Sequence, residues 1–168
     1  MKHLRPWSYL MLVLTWALCT QAMAKDELIV SNLTQVDLQY MQQQRALLGD
    51  LTARHFGRQF NGSRDNDLGL LQRLLDQELV RNDQTRELQA MGIIMGDLLA
   101  AELGMDWVVY EDRLGRSRAL RYKETDSYLF PATMISRRRA VDNRTPVADI
   151  YRKAQDTMGA VIPPLPFQ

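Results

Sequence analysis

Paired carboxylates are the side chains through which this sequence could carry out hydrolysis. Cleavage of a glycosidic bond requires two carboxyl groups held about 5 to 10 Å apart. Asp106 and Glu111 do not meet this requirement, because their odd separation along one predicted strand directs them to opposite faces. Asp97 and Glu111 form the remaining pair, since packing of a predicted helix on that strand could bring them together. The more common role of such carboxylates is that of solvated surface charges.

Thiol, serine and imidazole chemistry has little support in the sequence. The only Cys is Cys19, and the two His residues are His3 and His55. His55 is expected in the last turn of a helix, where its partial positive charge interacts favourably with the helix dipole. The sequence contains no Gly-x-Ser-x-Gly segment, the pattern that places a serine nucleophile on a strand-to-helix turn. We therefore predict no catalytic residue of these three types.

Asp65-Asn66-Asp67 has the spacing of the first ligands in a calcium loop. Such a loop needs a glycine at its sixth position and a glutamate at its twelfth. The sequence has Leu70 and Asp76 at those positions. The three residues are therefore interpreted as the cap of a helix, and neither a metal nor a cofactor is predicted.

Basic residues are concentrated in one part of the chain. Residues 113–144 hold 9 basic and 3 acidic side chains, whereas residues 25–112 hold 8 basic and 15 acidic ones. Arginine binds phosphate and carboxylate groups through two parallel hydrogen bonds, so a basic surface of this kind could recognise an anionic ligand. Alternatively, the arginines stabilise a helix end and pair with acidic helices of the same molecule. The residues predicted for the candidate binding surface are Trp107, Arg121, Arg137, Arg138 and Arg139.

The first 24 residues have the three-part pattern of a secretory signal peptide. Lys2 and Arg5 give a charged start, residues 9–18 are predominantly apolar, and Ala22-Met23-Ala24 provides a small-residue cleavage site. An apolar stretch of this length is too short for a membrane-spanning helix, which needs about 20 residues. We therefore expect cleavage near Ala24, a periplasmic or secreted protein, and no stable membrane span.

Cleavage after residue 24 would leave 144 residues with 19 basic and 20 acidic side chains. A chain of this size can bury a hydrophobic core without disulfides. An exported protein is not expected to bind nucleic acid. The partners expected for its basic surface are an envelope protein or an anionic envelope component, such as a lipid head group or a cell-wall carboxylate.

Helices are predicted for the first half of the mature chain from apolar residues that recur at helical spacing. They cover residues 34–56, with Thr34 as the cap, residues 66–80, and a third segment that ends at Leu103 before Gly104. Gly92 and Gly96 lie inside the third helix, where each glycine costs about 1 kcal/mol relative to alanine. We therefore expect a second helix or the sheet to approach the backbone closely at these two positions.

The apolar pattern then changes from helical spacing to alternation. Residues 106–112 and 117–122 are predicted to form a β-hairpin, and residues 128–130 a short third strand that ends at Pro131. Two further helices are predicted after Pro131 and from Val147 to Met158, the second ending at Gly159. A three-stranded antiparallel sheet between N-terminal and C-terminal helices corresponds to an α+β fold. Residues 25–160 are expected to form one domain, followed by a Pro-rich extended tail at 161–168.

The order of motifs resembles the bacterial domain-of-unknown-function 3806 family over approximately residues 68–158. The resemblance is carried by three segments, namely Leu88–Asp97, the helix-glycine-tryptophan-strand junction Glu102–Val109, and the Phe-Pro step into the basic helix at Phe130–Arg138. The resemblance implies a single small domain. It implies no catalytic residue, because the family has no established activity to carry over.

These observations support three hypotheses of different kinds. The first is an exported, non-enzymatic binding or interaction domain of the bacterial cell envelope. The second is a small carboxylate-dependent hydrolase that acts on cell-wall glycan or peptide through Asp97 and Glu111. The third is an assembly or secretion factor that holds another exported chain against adaptable apolar side chains, namely Met91, Met95, Met105 and Met134.

Overall fold

The computed structural model describes residues 28–162, so the predicted signal peptide and residues 163–168 of the tail lie outside the described residues. The described part has the α+β fold expected from the sequence. Its elements, in chain order, are β1 (Ile29–Asn32), α1 (Gln35–Phe56), α2 (Arg64–Asp76), α3 (Thr85–Leu103), β2 (Met105–Asp112), β3 (Gly115–Tyr122), β4 (Tyr128–Leu129), α4 (Pro131–Arg139) and α5 (Val147–Gly159).

The sheet is antiparallel, with strand order β1-β2-β3-β4. The predicted hairpin is confirmed, but the prediction of three strands was wrong because β1 adds a fourth. Ile29 pairs with Glu111 and Asn32 pairs with Val108, so β1 lies along the outer edge of the hairpin. Three of its four residues are exposed. Backbone pairing therefore holds β1 in place, and the strand shows little of the apolar alternation that identifies strands in a sequence.

Local sequence signals set most of the helix ends. Thr34 and Asp37 form a reciprocal capping box at the start of α1, in which each residue's side chain accepts a hydrogen bond from the other's backbone N–H. Gly104 ends α3 in the left-handed conformation, with φ of +61°. Pro131 occupies the first turn of α4, as predicted.

The bounds predicted for α2 were wrong. The helix covers residues 64–76 instead of 66–80. Glu78 adopts a φ of +54°, and the Val80 N–H donates to the Leu74 carbonyl oxygen at 3.1 Å, so the chain turns back after the helix. Val80 is still only 2% exposed. Its apolar side chain belongs to the core without belonging to the helix, which is why the apolar spacing overestimated the helix length.

The start of α2 is organised by Asp67 in a manner that differs from a simple helix cap. Ser63 occupies the N-cap position but makes no side-chain capping bond. The buried carboxylate of Asp67 accepts hydrogen bonds from the backbone N–H groups of Asn61 at 3.0 Å and Gly62 at 2.9 Å. These bonds fold the preceding loop against α2, so the acidic segment has a structural role there.

Helix α3 forms the centre of the core and contacts every other helix and strands β2 and β3. A Cβ atom at Gly96 would lie 2.5 Å from Cζ2 of Trp107, and one at Gly92 would lie 2.7 Å from Cα of Ala132 in α4. The predicted close approach at both glycines is therefore confirmed. It places β2 and α4 directly against α3, which fixes the hairpin relative to the basic helix.

Helix α1 packs on α3 through an unusually polar face. Its fully buried side chains are Asp37, Met41, Gln44, Leu48 and Thr52, of which only two are apolar. An amphipathic helix normally buries a continuous apolar stripe. The position of α1 must therefore depend strongly on the polar partners of these buried groups.

Candidate functional site

A groove of about 510 Å³ lies where α1, α3, the β2–β3 hairpin and α4 meet. The hairpin places two arginines on its wall and α4 places a third. The side chains that give the groove its chemical character are Tyr40, Tyr110, Arg116, Arg118, Phe130 and Arg137. Aromatic walls with a few charged groups are typical of ligand-binding sites in proteins.

Asp37 is held between Arg116 and Arg118 at the edge of the groove. Arg116 binds the carboxylate in a bidentate manner, with Nη1 2.8 Å from Oδ1 and Nη2 2.6 Å from Oδ2. Nη2 of Arg118 lies 2.9 Å from Oδ1 of Asp37. We refer to these three residues as the carboxylate clamp. The two arginines lie two residues apart on β3 and therefore share one face of the sheet.

The clamp stabilises the charged form of a buried carboxylate. The Asp37 side chain is 0% exposed, and burial alone would raise its pKa. The hydrogen bonds from Arg116 outweigh this effect and, with those from Thr34, hold the pKa of Asp37 well below its usual range. The same carboxylate raises the pKa of Arg116. Both partners are therefore ionised over the whole physiological pH range.

Arg118 is less completely satisfied than Arg116. Its guanidinium lies over the Tyr40 ring, with Cζ 4.2 Å from the ring centroid. Its Nε atom is buried and has no hydrogen-bond acceptor among the described residues. A buried donor without an acceptor costs about 1–3 kcal/mol. The contacts that α1 supplies therefore leave the Nε–H group of Arg118 without a hydrogen bond.

Arg137 contributes a positive charge to the groove from α4. Its side chain is exposed, and within residues 28–162 it makes no hydrogen bond or ion pair. The lining arginines are opposed by two carboxylates, those of Asp112 in the lining and Asp37 in the clamp. The formal charge of the groove is therefore positive.

The structure does not bring the five predicted surface residues together. Arg137 lines the groove, but Arg138 donates to the Met134 carbonyl oxygen of its own helix at 2.6 Å. Arg139 lines a separate hollow of about 360 Å³ that also includes Arg81 and Arg144. Successive helix residues are rotated by about 100°, so three consecutive arginines cannot share one face.

The other two predicted surface residues have structural partners. Arg121 donates through Nε to the Thr125 carbonyl oxygen at 2.8 Å and so holds the loop after β3. Trp107 is half-buried, and its indole N–H donates to Oδ1 of Asp97 at 3.0 Å. Its ring packs on Gly96 and is not an exposed aromatic side chain.

Asp97 and Glu111 do not converge in the described structure. Both oxygens of Asp97 accept from Arg45, at 2.7 and 2.8 Å, and Oδ1 also accepts from Trp107. The pKa of Arg45 is raised by this pairing. Glu111 lies four residues beyond Trp107 on β2, about 13 Å at the rise of an extended strand. Asp97 borders a second hollow of about 470 Å³, which Glu111 does not line.

Residues 28–162 contain no group of three or more His, Cys, Asp or Glu side chains that could hold a metal ion. Within the same range, every helix is too short or too polar to cross a membrane.

Sequence reasoning selected only Arg137 among the residues that define this site. It missed the clamp and the aromatic wall, namely Asp37, Tyr40, Tyr110, Arg116, Arg118 and Phe130. Asp37 lies three residues after the predicted cap Thr34, and its capping bond to Thr34 fully accounts for an acidic residue at that position. The bond to Arg116 links residues 79 positions apart in the chain. No local pattern signals such a contact.

Two comparisons place the chain among known proteins. Residues 67–151 match the family described as Domain of unknown function (DUF3806). A crystal structure from Bacteroides thetaiotaomicron VPI-5482 has a similar fold, with a TM-score of 0.71 and 17% sequence identity. The similarity covers 80% of this chain and 50% of that chain, so this chain spans about half the length of the similar protein. At this identity the likeness concerns the fold alone.

No curated protein matches the chain. The matched region includes α3, the hairpin with Arg116 and Arg118, and α4 with Arg137, whereas Asp37 precedes it. Because this match covers half of the 168 residues and agrees with the motif order, the chain belongs to the DUF3806 family.

Proposed function

We propose that the protein is an exported, non-enzymatic binding domain of the bacterial cell envelope. Its ligand is an anionic group on an envelope protein or on another envelope component, and the groove is the binding site. The observation that carries this proposal is Arg137, an exposed guanidinium without an ion pair in the described structure, on the wall of a positively charged groove.

The size and lining of the groove are consistent with this role. Ligand sites commonly enclose about 300–1,000 Å³ and combine apolar walls with a few polar groups. Tyr110 and Phe130 pack edge to face with ring centroids 5.1 Å apart and give the groove a firm aromatic wall. Such a wall can contact the apolar part of a ligand while Arg137 binds its charged part.

Export is supported by the charged, apolar and small-residue segments within residues 1–24. Its test is fractionation of the native host followed by mass spectrometry of the intact protein. We expect the protein in the periplasmic or secreted fraction with Lys25 as its first residue. A cytosolic protein that retains residues 1–24 would contradict this part of the proposal.

The binding proposal is tested with the chain from Lys25 to Gln168, which contains every described residue. The probe is a fluorescein-labelled hexaglutamate peptide, with hexaglutamine as the uncharged control. Loss of one charge-assisted contact costs about 1.5 kcal/mol, so we expect Arg137→Ala to weaken hexaglutamate binding about tenfold. Arg152→Ala is the matched control, because Arg152 is an exposed helical arginine on α5 that does not line the groove.

Fluorescence anisotropy at two salt concentrations measures the affinities. Hexaglutamate should bind the wild type and Arg152→Ala equally, and more weakly at 0.5 M than at about 0.05 M salt. Equal affinity of the wild type and Arg137→Ala would refute the assignment of the site to the groove.

A further inference from the structure

We infer that Arg116 and Arg118 form a binding site for a carboxylate of a partner polypeptide, and that Asp37 fills this site in the free protein. An acidic segment of the partner displaces Asp37, and displacement loosens the attachment of α1. This inference rests on the proposed function, and it names both the ligand of that groove and the contact that regulates access to it.

The geometry of the clamp is that of a carboxylate recognised by arginines. Arg116 presents two N–H groups to the two oxygens of Asp37, and Arg118 presents a third donor to Oδ1. These contacts involve only the carboxylate group, so the carboxylate of another chain can make the same contacts. Nε of Arg118 has no acceptor while Asp37 occupies the site. A ligand with a second oxygen acceptor could satisfy it.

The attachment of α1 is suited to displacement. Its buried face is mostly polar, and Oε1 of Gln44 is buried without a hydrogen-bond donor among the described residues. Besides the clamp, the bidentate pair of Arg45 with Asp97 connects α1 to α3. Both side chains of that pair are about one-third exposed, so solvent competes with it. Met41 and Leu48 are the only apolar side chains that α1 buries completely.

The family match separates the site from its occupant. Residues 67–151 include both arginines, whereas Asp37 and the whole of α1 precede them. The family match therefore covers the two arginines, whereas the carboxylate that fills their site comes from a helix that precedes the matched residues and packs on α3. An internal segment that occupies a binding site is expected to act as a competitor of the external ligand.

The internal occupant also indicates the class of ligand. Asp37 is an acidic residue presented by a polypeptide backbone, at the start of a helix that borders the groove. Tyr110, Phe130 and Arg137 line the same groove as the two arginines of the clamp. A segment with two or more acidic residues and intervening apolar contacts can therefore engage the clamp and Arg137 together. This favours an acidic polypeptide over a ligand with one small anionic group.

Competition by Asp37 determines the expected affinities. A tethered group acts at an effective concentration in the millimolar range or above, so an external carboxylate binds weakly until the internal one is removed. We expect Asp37→Asn to bind fluorescein-labelled hexaglutamate about tenfold more tightly than the wild type. Asp50→Asn is the matched control, because it removes an equal charge from α1 at an exposed position that does not line the groove. Its affinity should stay within about twofold of the wild type.

Amide hydrogen exchange of the wild-type chain supplies a second readout that does not depend on the folding of a variant. Saturating hexaglutamate should increase the exchange of amides at the start of α1, because displacement of Asp37 frees that turn. Hexaglutamine should leave the exchange unchanged. Unchanged exchange in the presence of bound hexaglutamate would overturn the inference.

The outcomes separate the two proposals. If Arg137→Ala weakens binding but Asp37→Asn binds no more tightly than the wild type, the groove binds anions and the displacement of Asp37 is refuted. If Arg137→Ala has no effect, the proposed function itself fails. Oligogalacturonate and inorganic phosphate serve as competing anions. Tighter binding of either one than of hexaglutamate to Asp37→Asn would overturn the assignment to a polypeptide.

Discussion

Replacement of Gly92 by alanine tests the packing on which the position of the groove depends. The new Cβ would lie 2.7 Å from Cα of Ala132 and closer still to the Pro131 carbonyl oxygen. Both neighbours are backbone atoms of α4, so a side-chain rotation cannot relieve the overlap. Helices α3 and α4 must move apart, and the Phe130 and Arg137 walls of the groove move with α4.

The expected magnitude combines two opposing effects. Alanine in a helix interior is favoured over glycine by about 1 kcal/mol. Overpacking costs about 1–3 kcal/mol, and the backbone contact places this site at the upper end. We therefore expect Gly92→Ala to lower the free energy of unfolding by about 2 kcal/mol. For a chain of this size the melting temperature then falls by about 8 °C.

Gly49→Ala is the matched control, because Gly49 lies in the interior of α1 and a Cβ there has no neighbour within 4 Å. This variant should gain about 1 kcal/mol from helix propensity alone. Urea unfolding of the chain from Lys25, followed by the fluorescence of Trp107, measures both variants. If Gly92→Ala proved as stable as Gly49→Ala, the close approach of α4 to α3 would be refuted.

Three further predictions concern single polar contacts, each measured by urea unfolding. Asp97→Asn should lower the free energy of unfolding by about 1 kcal/mol, because it removes the charge from a partly exposed pair with Arg45, and 1 M salt should reduce the difference. The low pKa of Asp37 stabilises the fold above the ordinary Asp pKa of about 3.9, and this contribution is lost as the pH falls below that value. The wild type should therefore lose more stability than Asp37→Asn between about pH 5 and pH 2, and equal losses would contradict the clamp. Tyr151→Phe should lower the free energy of unfolding by about 1–2 kcal/mol, because it removes the hydrogen bond to Glu102. Burial of the Tyr151 hydroxyl and its hydrogen bond to Glu102 raise the pKa of Tyr151, so the absorbance of its phenolate should appear only above the ordinary Tyr pKa of about 10.

The parts of the fold that the sequence predicted depend on contacts between near neighbours. The capping box of Thr34 with Asp37 spans three residues, and Gly104 acts through its own backbone conformation. The hairpin follows from alternation within one continuous segment. The close approach of other elements at Gly92 and Gly96 could also be predicted, because two glycines in an apolar helix interior need a contact that compensates for their low helix propensity.

The parts that it did not predict depend on contacts between distant residues. Strand β1 is short and mostly exposed, so only its pairing with β2 reveals it. The clamp joins Asp37 to two arginines on β3, which are close only after α1 has packed beside the sheet. For the same reason, the run Arg137-Arg138-Arg139 was interpreted as one surface, although helix geometry directs these side chains to different environments. Charge counts along the sequence contain no information about these directions.

The two interpretations of the arginine-rich region apply to different arginines, and salt dependence can separate them. Arg116 and Arg118 are already paired with Asp37, so a ligand carboxylate that replaces it exchanges one ion pair for another. Arg137 has no ion pair to exchange, and its contact with a ligand is a newly formed one. Salt weakens a new pair between exposed charges more than it affects such an exchange. The salt dependence of hexaglutamate binding should therefore depend mainly on Arg137, and Arg137→Ala should reduce that dependence as well as the affinity.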